Sequence, residues 1–149
     1  MPMTPYELLG RLPGFVERLR AAPPVHVERG ILEVKGWCES AGQLLKEAAA
    51  AAICLANGEG GILLVGLDPE RVIEHATPCP HEEVTPEWLH ESVRRHSHPS
   101  VECTACRLVE AVPATPAAAK DCIALLVPRK SIAGMHRTDL GVCLVRRGG

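Results

Sequence analysis

Hydrophobic positions along the chain follow a few distinct rhythms, and each predicts an element. Ile31-Leu32-Glu33-Val34-Lys35 alternates, with Leu32 and Val34 on one face and Ile31, Glu33 and Lys35 on the other. A period of two predicts a strand. Leu44, Leu45, Ala48, Ala52 and Ala56 recur at helical spacing. Ser40 and Gln43 form a capping box at the start of that helix, and Asn57-Gly58 ends it. The alanine-rich stripe suits close packing on a sheet. Ile62 to Leu67 is continuously apolar, as a central strand covered on both faces is, and Ile123 to Val127 reads as another apolar strand. A second main helix starts at Thr85-Pro86, with Val84 and Leu89 placed to staple it, runs to about His96 and is closed by Pro99.

Weaker rhythms fill the gaps. Thr4, Pro5 and Glu7 open a short helix through Leu8, Leu9 and Leu12, with a break expected at Pro13-Gly14 and another turn or two through Phe15, Val16 and Leu19. Ala21-Ala22-Pro23-Pro24 is a connector. Arg71 to His75 reads as a short strand, Val101 to Val112 as a longer one, Pro113 to Ala119 as a loop and Val142 to Arg147 as a last strand. The order predicts an α/β (α+β) fold, a mixed, mostly antiparallel sheet with two packed helices plus a short N-terminal helical appendage. Residues 1–24 are the expected appendage and 25–149 the main domain.

Composition narrows the class. A chain of 149 residues suits one core, and with 46% apolar but only 3% aromatic residues that core must be aliphatic. Few aromatics argue against an extended base-stacking surface. No apolar run spans a bilayer and the start lacks a basic-then-apolar signal, so the expectation is a cytoplasmic protein, without a membrane partner, whose seven cysteines are mostly reduced. Net charge is -2, but it is unevenly spread. Residues 26–91 hold 12 acids against 4 Lys or Arg, while residues 120–149 hold 6 Lys or Arg against 2 Asp. A basic end of this kind can present a face to phosphates.

Several residue sets carry candidate chemistry. Glu28, Glu33, Lys35 and Asp68 are brought by the predicted strand, helix, turn and strand toward one sheet edge. Three carboxylates there could hold Mg²⁺ or Mn²⁺ and activate a water. Glu28 and Glu33 are five apart, so a regular strand would point them to opposite faces, and Gly30 is the expected irregularity between them. Asn57-Gly58-Glu59-Gly60-Gly61 reads as a helix cap and tight turn rather than a phosphate cradle. His96-x-His98 with Cys103-x-x-Cys106, and with Cys79 and His81, has residue types that zinc uses. A separation of three in a strand points the two cysteines apart, so core or solvent cysteines are preferred to zinc there. Arg94-Arg95, Arg129-Lys130, His136-Arg137 and Arg146-Arg147 are candidate phosphate contacts, with Lys35.

The order of motifs resembles the Schlafen AlbA-type domain. Glu28 and Leu32-Glu33-Val34-Lys35 match its opening Glu and aliphatic-Glu-Phe-Lys strand. Leu55-Ala56-Asn57-Gly58-Glu59-Gly60-Gly61 and Gly66-Leu67-Asp68 match its Phe-Ala-Asn-Thr-x-Gly-Gly and Gly-Val-Asp. Val127-Pro128 with Ser131, Met135-His136 and Val145-Arg146-Arg147-Gly148-Gly149 match its closing strands. Val34, Gly58, Met135 and Gly149 depart from the family's Phe, Thr, Pro and Ser, and Pro69 stands where many members carry a second Asp. The resemblance implies nucleic-acid binding, to RNA or DNA, in a regulatory or defence context. It also implies an alternative, a metal-dependent endoribonuclease whose acids fall on Glu28, Glu33 and Asp68. Its active nucleases pair two such domains, which implies a homodimer or a further domain here. A non-catalytic dimerisation or assembly module is the remaining reading.

Overall fold

The computed structural model describes residues 3–28 and 30–129, and the backbone of residues 137 and 138. Helix α1 (Pro5–Ala21) starts where the capping box places it, with Thr4 Oγ1 accepting from the Glu7 N–H at 3.1 Å. It does not break at Pro13 but continues through it for 17 residues. Proline in a helix interior costs about 3 kcal/mol. Against that, Leu8, Leu12, Phe15, Val16 and Leu19 form one buried stripe, and each large apolar side chain contributes about 1.5–3 kcal/mol when buried. Burial wins, so the helix stays whole. The same stripe packs on Leu32, Val34, Ile62, Leu64, Ala124 and Leu126. The front segment is therefore helical as expected, and it is built into the core.

A short α2 (Pro24–Val27) leads to β1 (Leu32–Lys35), α3 (Ala41–Asn57) and β2 (Gly61–Val65). Then follow α4 (Pro86–Arg95), β3 (Ser97–His98), β4 (Thr104–Arg107), the single-turn α5 (Leu108–Ala111), β5 (Ile123–Val127) and β6 (Arg137–Thr138). Ser40 Oγ accepts from the Gln43 N–H and Thr85 Oγ1 from the Trp88 N–H, each at 3.1 Å, so both predicted caps are in place.

The main sheet has the order β1-β2-β5-β4. β1 and β2 run parallel, from Leu32 beside Ile62 to Lys35 beside Val65, joined by the α3 crossover. β2 with β5 and β5 with β4 are antiparallel. Every residue of β2 and β5 is buried. One set of alternate positions meets α1, and Leu63, Val65, Ile123, Leu125 and Val127 form a second cluster with residues of α3 and α4. The result is α1 on one face, the sheet in the middle, and α3 with α4 on the other face.

Three expectations are corrected or left aside. Residues 71–75 are no strand: Ile73–His75 is a 3₁₀ turn. Asp68 Oδ1 accepts from the Glu70 N–H at 2.9 Å and Asp68 O from the Arg71 N–H at 3.2 Å, which curls the chain straight after β2. The strand expected over 101–112 shrinks to β4, because Leu108 is buried and the chain coils there into α5. The strand expected over 142–147 lies outside the described residues.

Candidate functional site

The three candidate acids occupy three different places around the parallel pair. Gly30 is irregular as expected, with φ +47°. Glu28 closes α2, and its carboxylate Oε1 accepts from the Val34 N–H at 2.7 Å. Glu33 shares the side of β1 opposite Leu32 and Val34 with Lys35, whose Nζ lies 3.6 Å from Glu33 Oε1. Asp68 stands beyond the carboxyl end of β2, exposed, in the turn described above. Among the described residues no three His, Cys, Asp or Glu side chains stand together as a metal-holding group.

The candidate basic residues separate into two groups. Lys35 is tied to Glu33 at the edge strand. Arg94 and Arg95 end α4, exposed, each about 3.5 Å from Glu91 (3.5 and 3.6 Å). Such exposed pairs are weak and screened by salt, so the guanidiniums remain available to a phosphate. Ser97 pairs with Thr138 and His98 with Arg137 across the β3–β6 ribbon, so the backbone at Arg137 lies beside His98, three residues past Arg95 in the chain. β4 opens at Thr104 opposite Leu126, and β5 closes at Val127, so exposed Arg129 belongs to the same end of the sheet. Lys130, His136, Arg146 and Arg147 lie outside the described residues.

The cysteines behave as core. Cys103 packs toward the α3–α4 cluster and Cys106 toward the α1 cluster, on opposite faces as strand geometry requires. Burial pushes the Cys103 thiol up to about 12 and raises Cys106 and the fully enclosed Cys122 as well. Burial, then the 3.1 Å contact with Glu47, pushes Cys38 up to about 11. Thiols held neutral in this way are poor nucleophiles.

Sequence reasoning passed over a cleft at the carboxyl ends of β1 and β2. It has a volume of about 350 Å³, and its lining includes Gly36, Trp37, Gly66, Asp68, Arg71 and His75. Gly66 has φ +108°, and a Cβ there would come within 2.4 Å of the Trp37 ring, so only glycine lets the indole lie across the strand end. The indole N–H donates to Thr77 O at 3.0 Å. The sequence offered only Gly36 after one expected strand and Gly66 near the end of another; the parallel register of β1 and β2 was needed to place Trp37 over Gly66.

No protein-family profile matches the chain, and no curated protein matches it. Among solved structures it is similar to the crystal structure of the DIP2311 protein from Corynebacterium diphtheriae, a structural-genomics target, with a TM-score of 0.57 and 15% identity. The match covers 93% of this chain and 25% of that one, so the chain spans about a quarter of that protein's length. At this identity the likeness shows a shared fold.

Proposed function

We propose that this chain binds nucleic acid through the phosphate backbone, at the end of the sheet where α4, the β3–β6 ribbon and the close of β5 meet. The observation that carries the proposal is the pairing of His98 with Arg137. It supports a single basic surface built from segments about forty residues apart: Arg94 and Arg95 at the end of α4, then Arg129 and the ribbon strand whose sequence carries Arg137. Guanidiniums suit phosphate because they present forked donors and stay charged at any working pH. The resemblance to Schlafen AlbA-type domains points the same way. Glu28 and Glu33 already have partners on β1, which favours binding over cleavage as the function of this chain. A homodimer would set two such surfaces against one duplex and belongs to the same proposal, as does a cytoplasmic setting.

The test is fluorescence anisotropy with labelled single-stranded RNA and duplex DNA of several unrelated sequences at low salt. Binding is expected with little sequence preference, since phosphates carry no sequence information. The double substitution Arg94→Ala with Arg95→Ala should weaken binding to every probe by a similar factor. Absence of binding to all probes would overturn the proposal.

A further inference from the structure

The cleft beside Asp68 lies at the opposite end of the sheet from the basic surface, because β5 starts at Ile123 against Val65 and finishes at Val127 against Gly61. It requires its own explanation. Its position, outside the carboxyl ends of adjacent parallel strands, is where open α/β sheets receive ligands. Its volume of about 350 Å³ falls within the range of about 300–1,000 Å³ found for small-ligand pockets.

Three kinds of group line it. Trp37 is one of two tryptophans in a chain with almost no aromatic residues. It is only partly buried, and its indole is held rigidly by Gly66 beneath it and Thr77 O at its N–H. An immobilised aromatic wall suits a flat ring. Arg71 is exposed and has no carboxylate partner among the described residues, so its fork is available to an anion. His75 beside it adds a ring nitrogen that can donate to an anion's oxygen. Asp68 uses Oδ1 on the Glu70 N–H, and Oδ2 has no protein donor among the described residues. That oxygen can accept from an amino or hydroxyl group.

A simple anion would satisfy Arg71 but be repelled by Asp68. A neutral aromatic would satisfy Trp37 and leave Arg71 unused. A ligand carrying a flat ring, N–H or O–H donors and a phosphate answers all three at once. We infer that the cleft binds a nucleoside monophosphate unit, with the base against Trp37, the phosphate on Arg71 and His75, and a base amino or ribose hydroxyl donating to Asp68. The unit is either a free nucleotide or the 5′-phosphorylated end of a single strand. This inference is independent of the basic surface and stands or falls separately.

The experiment titrates the full chain with adenosine 5′-monophosphate, adenosine and a short 5′-phosphorylated single strand, following tryptophan fluorescence. Saturable quenching by the monophosphate is expected below about 5 mM, where even weak small-ligand sites fill. Arg71→Ala, at an exposed position that leaves the core untouched, should weaken the monophosphate about tenfold, as loss of one charge-assisted contact does, and leave adenosine unchanged. Trp37→Phe should remove the quenching. If the monophosphate competes with the strand, the free nucleotide is sufficient. If only the strand quenches, and does so in an Arg71-dependent way, the strand end is the source. The Arg94→Ala/Arg95→Ala protein should bind the monophosphate as the parent does, whether or not it binds nucleic acid. No saturable quenching by either phosphate ligand, or quenching that Arg71→Ala leaves unchanged, would overturn the inference.

Discussion

At the scale of single residues, Glu28 shows how an acid singled out for chemistry can act in structure instead. β1 is an edge strand, and its Val34 N–H is met by the Glu28 carboxylate at 2.7 Å. An edge that presents unpaired amides invites pairing with another chain, and a carboxylate on that amide closes it. Glu28→Gln keeps an acceptor oxygen and should change stability little. Glu28→Ala leaves the partly buried N–H without it and should cost about 1–3 kcal/mol, read from urea unfolding. Equal stability of the two variants would show that the contact contributes nothing. Cys103 gives a second residue-scale expectation. Its thiol, raised by burial, loses its proton only near 12 in the folded chain, against 9.0 when unperturbed. The folded state therefore keeps a proton that the unfolded chain gives up. That contribution is fully present below pH 9 and is lost as pH rises toward 12. Urea midpoints measured from pH 8 upward should fall, and in Cys103→Ala they should fall less steeply.

At the scale of elements, local signals were legible wherever local chemistry decides. Thr4, Ser40 and Thr85 each cap the helix they were expected to cap, because a capping hydroxyl needs only the next three residues to act. Ile62 to Val65 was legible as a central strand and Ile123 to Val127 as a strand, because an unbroken apolar run has few other places to go. Pro13 was misjudged for the opposite reason. Its local penalty is visible in the sequence, whereas the sheet face that holds Leu8, Leu12 and Phe15 in place is not. The 3₁₀ turn at Ile73–His75 was likewise hidden, since its bonds, His75 N–H to Val72 O and Ala76 N–H to Ile73 O, leave no trace in short alternation. Two substitutions check this account of α1. Leu12→Ala removes a fully buried side chain and should cost about 2–5 kcal/mol. Pro13→Ala should stabilise the protein, since it restores the missing donor at no loss of buried stripe. If Leu12→Ala unfolded at the parent's urea midpoint, α1 would not be part of the core.

At the scale of the whole molecule, the acids and bases noticed in the sequence do not form one site. Of the candidate basic residues that can be placed, Arg94, Arg95, Arg129 and the backbone at Arg137 stand where α4 ends, β3 meets β6 and β5 closes, whereas Lys35 stays with Glu33 on β1 and Asp68 stands beyond the other end of β2 with Trp37 and Arg71. Spacing along the chain suggested that Glu28, Glu33 and Asp68 would converge. It could not show that β1 turns Glu33 to a helix-covered face while Glu28 folds back onto the strand's outer edge. It also could not show that a two-residue ribbon would join Arg137 to the end of α4. The central claim, that this end of the sheet holds a phosphate backbone, is tested most directly by the salt dependence of binding. Each phosphate contact contributes about 0.9 to the slope of log K against log salt on duplex DNA. The parent protein should show a steep linear decline, and the Arg94→Ala/Arg95→Ala protein a slope shallower by about two contacts' worth. Identical slopes for the two proteins, or binding that salt does not weaken, would contradict the account.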